Sequence, residues 1–328
     1  MARTLVAVLA IVVLGAPAAS SSSRPADVSF LTGLPEATVD PLTIVCAAPA
    51  DGARAAVRAL LPAGRYVSFA WSPDGSRIAV VRRVGTKLRL ETMFADGSAR
   101  RRVAEVEADP RGIEVAWAPN GKLLAFAADG SLFVARPDAS LVRLLVRTRS
   151  PLSGRAANPR WTPDGRRIVF VWRWVGPVGG MVVSIRPSGT DRRASARKGL
   201  PLFGSWSRDG RRVAFVDWQS GRVVVASEDG TDQQAVSAPS AAWAETPVWS
   251  PDGTSIAFAR RLPYRGWPAP PADVYVVGAD GSMERPVAKT PLDERAPGWR
   301  PGAHAGFGPC EPPSRRIRDA VDLSVARR

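Results

Sequence analysis

The sequence predicts an all-β protein: a six-bladed β-propeller of four-stranded antiparallel blades, closed by N-terminal strands that complete the last blade. Two observations carry this prediction. A tryptophan returns at Trp71, Trp117, Trp161, Trp206, Trp249 and Trp299, at intervals of 46, 44, 45, 43 and 50 residues. Most copies open the same turn signature: Trp71-Ser-Pro-Asp-Gly75, Trp161-Thr-Pro-Asp-Gly165, Trp206-Ser-Arg-Asp-Gly210 and Trp249-Ser-Pro-Asp-Gly253. Trp117-Ala-Pro-Asn-Gly121 and Trp299-Arg-Pro-Gly302 are weaker copies. A period of about 40–50 residues with a turn in every copy marks a repeat array, whose function lies on a surface the copies build together.

The fourth copy displays the strands of one repeat most plainly. Apolar residues alternate with polar ones over Leu202 to Trp206, Val213 to Val216, Val223 to Ala226 and Gln234 to Val236, as half-buried strands require. Between them lie Ser207-Arg-Asp-Gly210, Gln219-Ser-Gly221 and Glu228-Asp-Gly230. Glycine supplies the positive φ that short hairpin turns need, and a proline ahead of Asp-Gly fixes φ at the turn entry. Copies one and five repeat the layout, with third strands near Leu88 to Phe94 and Val274 to Val277 and later turns at Asp96-Gly97 and Asp280-Gly281. Four antiparallel strands in about 45 residues make one propeller blade.

The run Trp249 to Phe258, followed by Val274-Tyr-Val-Val277 and Asp280-Gly281, resembles the WD-like repeat of TolB-type β-propellers over roughly residues 41 to 310. The resemblance implies a six-bladed, exported propeller that acts by binding other proteins. About twenty residues, Ala19 to Asp40, separate the N-terminal leader from the first expected propeller strand. The separate N-terminal domain of TolB is therefore expected to be missing.

Six tryptophans but five full repeats leave one blade to be assembled from both chain ends. Leu42 to Cys46 matches a third strand, Ala50-Asp-Gly52 its turn, and Ala55 to Leu61 a fourth strand, while Trp299 to Cys310 is expected to supply the first and second. Such two-plus-two closure leaves no open sheet edge. Aligned on the fourth copy, Cys46 corresponds to Val224 and Cys310 to Asp217, nearly opposite across a hairpin. A closure disulfide between Cys46 and Cys310 is expected, and an exported compartment permits it.

The chain is expected to divide into a signal peptide (1–18), a linker (19–40), the propeller (41–311) and a basic tail (312–328). Arg3, the apolar run Leu5 to Leu14 and Ala16-Pro17-Ala18 have the n-region, h-region and small-residue pattern of a secretory signal, and the run is short for a membrane span. A periplasmic or secreted, that is extracytoplasmic, location is expected from this cleavable leader. The net charge of +15 comes almost entirely from arginine, since only Lys87, Lys122, Lys198 and Lys289 are lysines. Arginines scattered over many turns form no stripe, so no nucleic-acid partner is expected. An anionic glycan or lipid surface could meet this charge, but a solvated basic surface with no charge-specific partner is the simpler account.

Catalytic chemistry is sparse. His304 is the only histidine, and no nucleophile elbow, metalloprotease helix or phosphate loop occurs. The Asp-Gly aspartates are explained by turn chemistry. No catalytic residue, metal or cofactor is expected, and the chain reads as a monomeric, non-catalytic binding module for an envelope or secreted protein. The competing reading is a glycan-binding propeller, or a glycosidase or lyase whose acids converge from different blades.

The candidate binding residues are the tryptophans outside the repeat, Trp172, Trp174, Trp218, Trp243 and Trp267, with Tyr264 and Arg265. By strand order all fall in second-to-third turns or inter-blade connections, which share one face of the ring. Tryptophan and arginine are enriched at binding hot spots. Trp172 and Trp174 also continue the alternation of Ile168 and Phe170, so blade core is an equal reading for that pair.

Overall fold

A computed structural model describes residues 27–33, 43–50, 58–61, 64–107, 113–148, 154–173, 180–194, 204–207, 209–217, 219–227, 231–263, 270–288 and 293–300. Every regular element among them is a strand, and the strands form six four-stranded antiparallel sheets. Blades 1 to 5 start with the strands Tyr66–Trp71, Glu114–Trp117, Arg155–Trp161, Gly204–Trp206 and Trp243–Trp249. Each repeat tryptophan thus ends or nearly ends the first strand of its blade, and first strands of neighbouring blades pack together at every junction except that of blades 3 and 4, where contact among the described residues is sparse.

The turn signature forms because its side chains replace missing backbone partners. Ser72 Oγ donates to Asp74 Oδ1 at 2.6 Å and accepts from the Arg77 N–H at 2.9 Å, while the Gly75 N–H donates to the Ser72 carbonyl. Thr162–Asp164–Arg167, Ser207–Asp209–Arg212 and Ser250–Asp252–Ser255 repeat these bonds. Gly75, Gly165, Gly210 and Gly253 sit at φ of 68 to 73°, a region costly to any residue with a Cβ.

Opposite each tryptophan stands the head of a three-residue apolar pattern in the second strand. Trp71 pairs with Ile78, Trp117 with Leu124, Trp161 with Ile168, Trp206 with Val213 and Trp249 with Ile256. These open Ile78-Ala-Val80, Leu124-Ala-Phe126, Ile168-Val-Phe170, Val213-Ala-Phe215 and Ile256-Ala-Phe258. Both faces of a blade are apolar, so blades pack face to face and the core is a set of seams. The seam between blades 4 and 5 buries Ala214, Val223, Val225, Trp249, Ile256 and Phe258 together.

The tryptophans also stitch blade to blade. Trp117 Nε1 donates to the Ala70 carbonyl at 2.9 Å, Trp161 Nε1 to Ala116 at 3.2 Å, and Trp299 Nε1 to Val248 at 2.9 Å. Each acceptor directly precedes the tryptophan of the blade before, so the same bond fixes the register of these three blade pairs, whereas Trp249 Nε1 is buried without a hydrogen-bond partner among the described residues. One seam differs. Among the described residues, the buried cluster of Val213, Phe215, Val224 and Ala226 belongs to blade 4 alone, and Val169 and Val182 on the facing side of blade 3 are only half-buried.

Closure uses N-terminal strands as expected but divides them differently. The last blade orders Asp293–Arg300, Asp27–Gly33, Thr43–Pro49 and Arg58–Ala59, so the N-terminal part contributes strands two, three and four and the C-terminal part only the first. Residues 27–33, expected in the linker, are therefore a strand. Trp299 pairs with Val28, and Val28-Ser-Phe30 is the same three-residue pattern as in the other blades. The physical reason is the antiparallel ladder: the N-terminal segment lies between two strands and satisfies both edges. Cys46 lies in the third strand as expected, but its neighbours across the sheet are Phe30 and Ala59. The second-strand place assigned to Cys310 is thus held by N-terminal residues, and Cys310 itself lies outside the described residues.

Candidate functional site

Two candidate residues fall within the described chain. Trp243 opens the first strand of blade 5 and is 38% exposed. It covers the second-to-third turn of blade 4: at Gly221, φ +67°, an added Cβ would lie 2.7 Å from the indole Cδ1. The Ala244 N–H donates to the Gly221 carbonyl at 2.8 Å, fixing the strand start on that turn. A bare glycine under the ring lets the indole lie close against the turn.

Trp172 is partly core and partly rim. It stands in the second strand of blade 3, Ile168–Arg173, opposite Ala156 and Met181, and packs on the seam with blade 2. Its ring meets Phe170 edge-on at 6.5 Å and carries the Arg192 guanidinium 5.0 Å above its centre. Gly154, φ +98°, makes room for the indole, since a Cβ there would collide with Nε1. The core reading of Trp172 thus describes its packing, on the seam between blades 2 and 3. Trp172 and Trp243 stand in blades 3 and 5, with blade 4 between them, and do not form one cluster. Trp174, Trp218, Tyr264, Arg265 and Trp267 lie outside the described residues, in the sequence between strands two and three of blades 3, 4 and 5.

Several polar residues escape a tryptophan-led reading. Arg261, nearly buried, pairs across the sheet with Trp243 and lies 3.4 Å from the Glu245 carboxylate. In the first strands of blades 3 and 5, Asn158 and Thr246 adopt φ of +50° and +46° at register shifts in their sheets. Each precedes a proline two residues ahead of the repeat tryptophan, a sequence signal for a bulge on an edge where no N–H is needed. The Asn158 N–H donates to the Glu114 carboxylate of blade 2. Burial pushes the Arg160 guanidinium below its ordinary range, opposed by the Glu114 charge.

The turn aspartates are bound where they stand. Hydroxyl hydrogen bonds, foremost from Ser72, Thr162 and Ser207, hold Asp74, Asp164 and Asp209 below the ordinary carboxylate range. A depressed folded-state value stabilises the fold above the unfolded value near 3.8 and is lost as pH falls below it. Lowering the pH from about 5 to about 2 is therefore expected to move the urea midpoint downward, read by circular dichroism. Among the described residues no group of three or more histidines, cysteines and acids converges as metal ligands.

A family described as the TolB beta propeller domain matches residues 44–303. No curated protein matches the chain in sequence. TolB from Acinetobacter baumannii is similar in structure, with a TM-score of 0.65, 19% identity, and coverage of 84% of this chain and 67% of that one. A chain of the nidogen/laminin complex gives a TM-score of 0.60 at 12% identity, covering 84% and 98%. A putative TolB from Agrobacterium tumefaciens gives 0.53 at 16%, covering 80% and 88%. At these identities the likeness concerns the fold.

Proposed function

This chain belongs to the TolB β-propeller domain family, and from that premise we propose that it is an extracytoplasmic, non-catalytic module that binds an envelope or secreted protein. The observation that carries the reading is Trp243, a large apolar ring, 38% exposed, seated over Gly221 at the junction of blades 4 and 5. An exposed indole beside a nearly buried, carboxylate-paired arginine, Arg261, has the chemistry of a hot spot: a rigid apolar surface rimmed by charge. In sequence the remaining candidates, Trp174, Trp218, Tyr264, Arg265 and Trp267, lie between strands two and three of blades 3, 4 and 5. Related folds occur in protein assemblies, the nidogen/laminin complex among them. The turn aspartates, spent in their own turns, support binding over hydrolysis.

The test is comparative capture. Immobilised wild-type protein and a Trp243→Ala, Trp267→Ala variant are exposed to the envelope and secreted fractions of the source cell, beside a variant changed on the opposite face at Lys122→Ala. A protein retained by wild type and by Lys122→Ala, and at least about tenfold depleted with the tryptophan variant, is the expected result. Equal retention by all three would remove this face from consideration.

A further inference from the structure

On the opposite face, the Asp-Gly turn face, blades 1, 3 and 5 differ at one pair of facing residues. In blade 1 the pair is Arg77 and Phe94, and the guanidinium stacks 5.0 Å above the ring. In blade 3 Arg167 fills the same place, bonded to Asp191 at 2.7 Å and to Ser184 Oγ at 3.0 Å. In blade 5 the pair is Ser255 and Gly278. The position occupied by Asp191 in blade 3, at φ +54°, is occupied in blade 5 by Met283, at φ +53° and 76% exposed. Blade 5 therefore lacks both the arginine and the carboxylate that close the gap between the two turns.

The result is a cavity of about 470 Å³, lined by Arg212, Thr254, Ser255, Asp280, Ser282 and Arg285 among others. Its cations come from different elements. Arg212 reaches over from blade 4, stacks 4.7 Å above Trp249 and donates Nη2 to the Gly253 carbonyl at 3.2 Å. Arg285 is braced by bonds from Nε to the Ala50 carbonyl at 2.9 Å and from Nη1 to Met283 at 3.1 Å. Both guanidiniums are thus held in place by contacts that leave further N–H groups for a guest. Three hydroxyls and the Asp280 carboxylate line the rest, and Gly278 keeps the floor open: a Cβ there would stand 2.6 Å from Asp280 Oδ1 and from Ser282 Oγ.

We propose that this blade-5 cavity is a binding site for a small hydroxylated anion with a single acidic group, a sugar acid or sugar phosphate. Two fixed guanidiniums select an oxyanion through charge-assisted bonds. Ser, Thr and Asp side chains exchange hydrogen bonds with sugar hydroxyls, and the Asp280 charge disfavours a guest with several anionic groups. The exposed Met283 side chain offers an apolar surface for a sugar ring. The volume falls within the ordinary range of small-molecule sites, roughly 300–1,000 Å³.

Calorimetric titration of the full chain with glucuronate and glucose 6-phosphate, beside glucose and inorganic phosphate, tests the site. Saturable binding of at least one anionic sugar, with glucose inert and phosphate weaker, is expected. Ser255→Arg rebuilds the filling found in blades 1 and 3 and is expected to abolish binding while the thermal midpoint stays at the wild-type value. Arg212→Met and Arg285→Met, each removing charge-assisted bonds, are expected to weaken it on the order of 10- to 100-fold. No binding of either anionic sugar, equal binding of glucose or phosphate, or binding unchanged in both Ser255→Arg and Arg212→Met would overturn the proposal.

Discussion

Trp71→Ala is expected to lower unfolding stability by about 3–5 kcal/mol, the range for deleting a large buried aromatic side chain, and Trp206→Ala by less than half of that. Trp71 is 8% exposed and sits where the last blade meets the first, packed with Leu31, Tyr66, Ile78 and Met93. Its Nε1 donates to Ser29 Oγ at 3.0 Å, so the side chain bonds directly to the N-terminal strand that closes the ring. The Arg300 guanidinium, 3% exposed, lies 4.6 Å over the indole, with its Nε and Nη1 lacking hydrogen-bond partners. Burial already pushes that guanidinium below its usual range, with Asp27 opposing. Truncating the ring therefore leaves a cavity and strips a buried cation of its π face, two costs at one site. Trp206 ends a strand of only three residues, is half-buried, and packs on a cluster drawn from blade 4 alone among the described residues. Trp71→Phe keeps an aromatic face for Arg300 but loses the N–H and part of the buried ring volume, so it is expected to cost about 1–3 kcal/mol. Urea midpoints followed by circular dichroism rank the three variants, and equal losses at Trp71 and Trp206 would refute the assignment of unequal seams.

These contrasts explain why much of the fold was legible and the rest was not. The repeat tryptophan and the Asp-Gly turn are local: Ser72, Asp74 and Gly75 satisfy one another within four residues, so their pattern survives in sequence. The strands of blade 4 fall within about two residues of their expected limits for the same reason. Closure is not local. Val28-Ser-Phe30 carries the second-strand pattern, but the tryptophan it pairs with is Trp299, at the other end of the chain. With no turn signature before it, the segment read as linker. The candidate face divides in the same way. Strand order sorts a turn to one face, whereas the seating of Trp243 on Gly221, or of Arg192 over Trp172, depends on packing between distant residues. The blade-5 cavity arises from what Ser255 and Gly278 fail to fill, which becomes visible only once the blades are superposed by register.

Breaking the proposed Cys46–Cys310 disulfide is expected to cost about 5 kcal/mol, because the two residues are 264 positions apart in the chain and a cross-link over so long a loop removes much of the unfolded ensemble's freedom. Cys46 is wholly buried, in the seam that also holds Val28, Phe30, Val274, Val276 and Trp299. The last blade is where such a bond acts most strongly. Its first strand comes from the C-terminal part and its other three from the N-terminal part, so the ring otherwise closes through the noncovalent ladder between Asp293–Arg300 and Asp27–Gly33. Ten residues separate Arg300 from Cys310, enough chain to span up to about 33 Å, so a route to the third strand exists although the second-strand position is taken. The expected signature is threefold. Denatured, unreduced protein exposes no reactive thiol and reduced protein exposes two. Cys310→Ser and Cys46→Ala each lower the melting temperature. The double variant costs little more than Cys46→Ala alone, since each single change already removes the shared bond. Two thiols titrating without reductant, or additive losses in the double variant, would show that the ring is closed by its strands and the packing of Trp71, Trp299 and Phe30 alone.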